Sequence, residues 1–300
     1  MLLKNGKLLK QDEFKLEKEI QNFVETHITD ILGEEYEFVC TEFPVGDFRI
    51  DSLAFNKETK SFILIEDKKV ENKSLVDQGL TYLKLLRDRK ADFILKYNEV
   101  KHANYNVDDI DISQSKVLFF SPFYNKYQLY SSDYQNIPFD LYKVTKYEDD
   151  IIDVEKIERN SKTKFNNEIF NEINKDNTND EIKVYTEEDH VNYANENIRE
   201  LYEELKDIIL NLGDIDIDVK KTYIAFKGRR NIVDLEFYKN HFTVFINLKK
   251  DMVDNTHKIL SDISEIGHHG NGDYCLDVYK REDFDRLLPF IRQSYEKNRK

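Results

Sequence analysis

Cysteine is nearly missing from this chain. Cys40 and Cys275 are its only two, and their wide separation supplies neither a disulfide framework nor a cysteine-rich zinc site. Such sparse usage suits a reducing compartment. Long apolar runs are missing as well: none approaches the roughly 18 to 20 residues a membrane helix needs. The Met1-Leu2-Leu3-Lys4 start lacks the apolar core of a signal peptide. A soluble, cytoplasmic protein with no membrane association is expected. Positive charge is the third shortage, with 45 Lys and Arg against 59 Asp and Glu and a net charge of −14. That balance argues against a non-specific coat for nucleic acid, because such binding rests on neutralising phosphates. It leaves room for an enzyme that gathers base locally.

What the chain does have is enough apolar residue, 40% with 13% aromatic over 300 residues, to build cores for two domains. Between about Glu158 and Glu188 the composition shifts to Asn, Lys, Asp, Glu and Thr. This divides the chain into residues 1–158, a polar linker 159–188 and a second domain 189–300.

The most informative stretch runs from Gly46 to Lys69. Two apolar runs, Phe48 to Phe55 and Phe62 to Ile65, flank the polar Asn56 to Lys60, the pattern of a β-hairpin. Strand alternation makes Glu66 and Lys68 face-mates. A turn centred near Glu58 brings Asp51 across from Ile65 or Glu66. Directly opposed residues have Cβ atoms about 4.5 to 5.5 Å apart, so two carboxylates and one ammonium would crowd the end of one hairpin. Like charges that close call for a cation or a proton between them, and Mg2+ commonly uses one or two carboxylates with waters and phosphate oxygens. The tripeptide alone is common here, since Glu13-Phe14-Lys15 and Glu71-Asn72-Lys73 share its spacing; an ordinary charged strand end is the competing reading.

Around the hairpin, Leu16, Ile20, Phe23, Val24, His27, Ile28, Ile31 and Leu32 recur at helical spacing from Phe14 to Leu32, with Gly33 as a stop. Glu19 lies at the edge of that stripe. Glu37 to Phe43 alternates as a strand. Ser74 can cap a helix to about Lys90 that places Gln78 and Tyr82 on one face. Phe93-Ile94-Leu95, Lys116 to Ser121 and Phe139 to Lys143 read as further strands, and Tyr124 to Tyr134 as a connection. Strand and helix alternation predicts an α/β domain, a mixed sheet flanked by helices. Lys68, Lys69, Lys73, Lys84, Arg87, Arg89, Lys90, Lys96 and Lys101 follow the hairpin closely, either as a phosphate-facing cluster or as a solvated helix face.

In the second domain a helix from His190 to Leu212, strands at Lys221 to Phe226, Asn231 to Tyr238, His241 to Leu248 and Tyr274 to Tyr279, and helices at about Asn255 to Ile266 and Glu282 to Tyr295 predict a smaller α+β unit. The loop Ile266-Gly267-His268-His269-Gly270-Asn271-Gly272-Asp273 reads as a phosphate or metal loop, or as a turn whose glycines meet backbone constraints. Lys227, Arg229 and Arg230 sit at a strand turn where an anion could bind.

Taken together, Glu19-Ile20-Gln21, Arg49-Ile50-Asp51, Glu66-Asp67-Lys68 and Gln78 to Tyr82 resemble, in order, the motifs of the restriction-endonuclease-like, or PD-(D/E)XK, nuclease superfamily. The resemblance covers the N-terminal half. Residues from about 184 onward are similar to a domain that often follows such nucleases, with FINLKK at Phe245 and IGHHGNGDY. The family often has Pro before its first acid, where this chain has Ile50. The resemblance implies a restriction-endonuclease-like fold and a metal-dependent DNA endonuclease. In that family Asp51 and Glu66 would hold Mg2+ or Mn2+ with the backbone carbonyl of Asp67, Glu19 would be an upstream ligand or water-orienting acid, and Lys68 would position and activate the attacking water. Gln78 and Tyr82, with Lys69 and Arg49, would support the site or bind substrate. Cutting both strands suggests a homodimer. The competing class is a nuclease-like fold that binds nucleic acid or protein without cutting.

Overall fold

The computed structural model describes residues 2–69, 75–134, 136–158, 182–253, 259–266 and 271–299. The chain forms two compact units, Met1–Val184 and Tyr185–Lys300. Among the described residues no helix is long and apolar enough to cross a membrane.

The first unit is α/β. Its elements in chain order are α1 (Glu17–Thr26), α2 (Ile28–Leu32), β1 (Tyr36–Val45), β2 (Phe48–Asn56), β3 (Ser61–Asp67), α3 (Leu75–Asp88), α4 (Lys90–Lys101), β4 (Lys116–Ser121), α5 (Lys126–Ser132), β5 (Phe139–Tyr147) and β6 (Ile152–Lys156). The predicted hairpin is β2 and β3, antiparallel, with Ser52 opposite Ile65 and Phe55 opposite Phe62. β3 then pairs parallel with β4, and β4 parallel with β5. The mixed seven-stranded sheet runs β1, β2, β3, β4, β5 and the short edge segment Gln11–Asp12, with β6 also pairing to β5.

Alternation sorts the strand residues between two cores. Leu53, Phe55, Phe62, Leu64, Val117 and Phe119 pack with Leu83 and Leu86 of α3 and Phe93 and Tyr97 of α4. Ala54, Ile63, Ile65, Leu118 and Phe120 pack with Ile20 and Val24 of α1 and Ile28 of α2. All seven residues of β3 are buried, as expected of a central strand covered on both faces. Each such apolar side chain contributes about 1.5 to 3 kcal/mol of transfer free energy.

Several sequence expectations are corrected. Phe93-Ile94-Leu95 is helix, not strand: Phe93, Ile94 and Tyr97 bury one stripe of α4, while Leu95 points to solvent. A three-residue apolar run carries no period of its own, and here tertiary packing decides it. The stretch Tyr124 to Tyr134 contains α5, begun by a reciprocal cap in which Gln128 N donates to Asn125 Oδ1 at 2.9 Å and Asn125 N donates to Gln128 Oε1 at 2.8 Å. The Phe14 to Leu32 helix is two helices, broken where His27 leaves helical geometry. The linker is shorter at its far end than 159–188, because Ile182 is buried in the first unit's core and Lys183 N donates to Ser113 O at 2.9 Å. Residues 159–181 and the expected cap Ser74 lie outside the described residues.

The second unit is α+β. Helices α6 (Glu187–Val191) and α7 (Glu196–Leu210) precede β7 (Asp216–Val219), β8 (Ile224–Lys227), β9 (Asn231–Phe237), β10 (Phe242–Ile246) and β11 (Tyr274–Val278), and α8 (Asp283–Asn298) ends the fold. The strands form an antiparallel meander with Ser261–Asp262 added at the edge. The expected single helix from His190 is two, because Asn195 caps α7 through its Oδ1, which accepts from Ile198 N at 3.0 Å. The expected helix Asn255 to Ile266 is not formed in its described part, 259–266, where Ser261–Asp262 pairs with β11 instead.

Asp234 is fully buried and accepts from Asn231 Nδ2 at 2.9 Å, Asn271 N at 2.7 Å and Asn271 Nδ2 at 3.0 Å. It ties the glycine-rich loop to the sheet. Gly272 has φ of +88°, and a Cβ there would lie 1.9 Å from Ile246 O, so backbone constraint accounts for that glycine. His268 and His269 lie outside the described residues. At the turn of Arg229 and Arg230 both amides donate to Asn298 O at the end of α8, and both side chains are exposed. Cys40 and Cys275 are free, half-buried thiols, one in each unit. Burial pushes each up to about 11.

Helix α3 lies close on the sheet at Gly79, where a Cβ would sit 2.5 Å from the Phe139 ring. Gly79→Val is expected to lower stability by about 1 to 3 kcal/mol, the usual range for overpacking. Urea unfolding checks this, and adding Phe139→Leu should recover part of the loss. Independent, additive effects of the two changes would show that the close approach is not the cause.

Candidate active site

Register at the end of the hairpin decides which side chains meet. With Ser52 opposite Ile65, Asp51 falls opposite Glu66, one of the two expected alternatives. The Asp67 amide donates to Asp51 Oδ2 at 3.0 Å, locking the carboxylate across the strand end. On an antiparallel ladder a residue's N–H and C=O point to the same neighbour, so the Asp67 carbonyl also faces the Asp51 side. Lys68 N donates the other way, to Phe120 O of β4 at 2.8 Å.

Glu66 is 2% exposed and accepts from three side chains. The Lys68 ammonium and Gln78 Nε2 bond Oε1, and the Tyr82 hydroxyl bonds Oε2 at 2.7 Å. Tyr82 also lies 3.0 Å from Arg49 O and accepts from Gln78 Nε2 at 3.0 Å. The i, i+4 pair on α3 therefore acts as a clamp on Glu66. Tyr82 is 3% exposed; it supports the acid and is not a substrate-binding surface, because burying its ring in the α3 core takes it out of reach. Burial, then the charge of Glu66, pushes its hydroxyl far above the usual phenol range.

Charge is out of balance here. Burial first and Glu66 second push Asp51 up to about 6 from 3.8, against the opposing pull of the Asp67 amide and Lys68. Asp67 is fully buried, and both its carboxylate oxygens have no hydrogen-bond partner among the described residues. Burial and the charges of Asp51 and Glu66 raise it well above the carboxylate range. For Lys68, burial works against the ammonium, but Glu66, Asp51 and Glu17 outweigh it and hold the group charged.

The remaining expected residues are placed differently. Glu19 Oε1 accepts from Lys15 N and Leu16 N, both at 3.2 Å, and Oε2 meets Lys146 at 3.4 Å. Desolvation would raise its pKa, but Lys146 and those amides outweigh it and lower it. Glu19 thus caps α1, and this structure does not bring it to Asp51 and Glu66. The α1 acid that reaches the constellation is Glu17, 3.8 Å from Lys68 Nζ and accepting from Lys69 N at 3.0 Å. The Lys69 ammonium donates to Lys15 O at 2.6 Å, so Lys69 fastens α1 to the strand end. Arg49 is an exposed rim residue paired to Glu42 at 2.6 Å.

Sequence reasoning quoted Gln21 within a motif without a role and missed Glu17 and Glu25, which form one α1 stripe with it. Gln21 is 4% exposed, and its two Nε2 hydrogens are shared among Asp51 O at 2.7 Å and Glu25 Oε1 and Thr41 Oγ1, both at 3.0 Å. Ser52 Oγ donates to Glu25 Oε1 at 2.7 Å. The signal was their spacing of four, which puts three polar residues on the face that also carries Val24 and Ile28.

Among the described residues no group of three or more His, Cys, Asp or Glu forms a metal cage by side chains alone. The donor set still fits a hard divalent ion that takes two carboxylates, a carbonyl and waters. Asp51 and Glu66 stand opposite each other with Lys68 to offset them among the described residues, and Asp51 retains solvent access.

Comparison with known proteins gives two matches. Residues 187–298 match a family described as a domain of unknown function, DUF5655. The whole chain is similar to a Haemophilus influenzae protein described as uncharacterized, 39% identical over 295 residues and covering 97% of each chain. No solved structure matches.

The raised Asp51 gives a pH prediction. A carboxyl whose folded pKa exceeds its unfolded value favours folding fully below about 4, and that contribution is lost as pH rises through about 6. Asp51→Asn is therefore expected to be more stable than the parent at pH 8, by about 2 kcal/mol after discounting for solvent access. The gap should close as pH falls from 6 to 4. Chemical denaturation at pH 4, 6 and 8 measures it; a gap constant across that range would remove Asp51's charge as the cause.

Proposed function

The chain belongs to one protein family with its Haemophilus influenzae relative, and we propose that it is a metal-dependent phosphodiesterase, an endonuclease cutting DNA. The observation that carries this reading is the meeting of Asp51, Glu66 and Lys68 at one strand end, with two carboxylates and a charged lysine in one half-open site. Its α/β sheet, flanked on both faces by helices, suits the restriction-endonuclease-like fold that the sequence motifs resemble.

In this reading Asp51, Glu66 and the Asp67 carbonyl would hold Mg2+ or Mn2+. Such an ion lowers the pKa of bound water and stabilises charge developing on phosphate. The chain's own residues set the geometry. Gln78 and Tyr82 fix the Glu66 carboxylate, the Asp67 amide fixes Asp51, and the Gln21 amide holds the β2 main chain beneath it. Lys68 is held protonated by its acidic neighbours, so it suits orienting water and steadying the phosphate oxyanion better than taking a proton. Arg49 stands exposed near the start of β2, and the second unit contributes selection of substrate or partner. The protein works in the cytoplasm, and cutting both strands calls for two copies.

A second reading, a nuclease-like module that binds without cutting, is favoured by one observation: both oxygens of Glu66 already have protein donors. Cleavage assays separate the two. With Mg2+ or Mn2+, plasmid, single-stranded or branched DNA should be cut by the parent chain. Asp51→Asn and Lys68→Ala should each lose at least about a hundredfold, the scale for losing one acid, base or oxyanion group. Thermal melts give an independent readout: millimolar Mn2+ should raise the melting temperature of the parent but not of Asp51→Asn. Equal activity in parent and variants, or equal melting shifts, rejects the metal-dependent enzyme.

A further inference from the structure

Beyond the acidic constellation, the segment that leaves the neighbouring strand carries an unusual surface. β3 and β4 are parallel, with Asp67 beside Phe120, so the chain leaving β4 starts next to Lys68. It runs at once into Phe123 and α5. Phe123, Tyr127 and Tyr130 are 73%, 86% and 84% exposed, the three most exposed aromatic side chains among the described residues. Single exposed aromatics need no explanation, but three within eight residues, on the segment that leaves β4 beside Asp67, form a patch.

The patch is held on a firm frame. Tyr124 donates to Phe119 O at 2.7 Å, Ser132 Oγ donates to Gln128 O at 2.8 Å, and Gln128 and Ser132 are buried beneath the helix. The outward rings of Tyr127 and Tyr130, three residues apart, therefore share one face of an anchored turn. Farther along α5, level with the start of β5, Tyr130 borders a groove of about 540 Å3 lined also by Lys126, Leu129, Phe139, Leu141 and Ile157 and by the acids Asp133 and Glu158. That volume suits a planar ring system.

Charge decides what kind of nucleic acid fits. Duplex binding is dominated by phosphate neutralisation, yet basic residues on and between α3 and α4 are paired with acids: Lys84 with Asp88 at 3.0 Å, Arg89 with Asp92 at 3.2 Å, Lys96 with Glu99 at 3.0 Å and Lys101 with Glu37 at 3.2 Å. At the aromatic patch Lys126 has no acid partner among the described residues and is positioned to meet a phosphate or two. Binding to unpaired strands rests instead on aromatic rings stacking with bases.

We infer that Phe123, Tyr127 and Tyr130 form a stacking platform for the bases of an unpaired strand, so that the substrate is single-stranded DNA or a single-stranded branch, not intact duplex. This rests on the phosphodiesterase reading for its biological sense, but binding can be measured apart from cleavage.

Fluorescence anisotropy with a labelled oligothymidylate of about 20 nucleotides, and a blunt duplex of equal length, in EDTA, tests it. The single strand should bind at least tenfold tighter than the duplex. Its affinity should fall with salt at a log–log slope no steeper than about −2, matching few phosphate contacts. Tyr127→Ala and Tyr130→Ala should each weaken it about tenfold or more, the scale of one lost base stack, with the melting temperature unchanged because both rings are exposed. Equal affinity for the two forms, or variants that bind single strands like the parent, overturns the platform. Single-strand binding without cleavage in Mg2+ or Mn2+ would sink the enzyme reading and leave the platform standing. Duplex cleavage unaffected by the tyrosine variants would do the reverse.

Discussion

One hydrogen bond sets the layout of the first unit's charged end, from the Asp67 amide to the Asp51 carboxylate at 3.0 Å. It works only because β2 and β3 hold a single register, and that register follows from the apolar alternation of both strands. A slip of one residue would turn Phe62 and Leu64 out of one core and Ile63 and Ile65 out of the other. The core therefore enforces an arrangement that electrostatics alone would oppose. Asp51, Glu66 and Asp67 are kept near each other by hydrophobic packing, and the strain appears in the raised pKa values of Asp51 and Asp67. Accumulating like charge against its own preference is a reason to look for a cationic ligand there.

The support around this point is layered by helix. α3 supplies Gln78 and Tyr82 to one side of Glu66, while α1 supplies Gln21 to the main chain of Asp51 and Glu17 to Lys68 and Lys69. Both helices are anchored by apolar stripes on opposite faces of the same central strand. The polar groups gain their geometry from packing far larger in energy than any one of their own bonds.

Where period and register governed, the sequence was readable. The hairpin, the shared face of Glu66 and Lys68 and the Gln78–Tyr82 pair could all be derived from alternation or helical spacing, and the mixed α/β architecture from the order of elements. The errors have physical causes too. Phe93-Ile94-Leu95 was too short to show a period, and α5 was hidden because its outer residues, Tyr127 and Tyr130, are aromatic where a surface helix is usually polar. The resemblance pointed to Glu19 and was silent on Glu17, because Glu19 serves as the third residue of a capping arrangement with the Lys15 and Leu16 amides, a local demand that distant motifs do not register. Asp67's isolation depends on three-dimensional burial, which no linear pattern reports.

The two half-buried thiols extend the picture to motion. Cys40 belongs to β1 of the first unit and Cys275 to β11 of the second, and desolvation keeps both in the unreactive protonated form. Alkylating reagents will modify each faster when its own strand is laid open. The native polypeptide thus comes with one built-in chronometer per half, and mass spectrometry of the adducts can time the opening of each without cutting the chain or adding a probe.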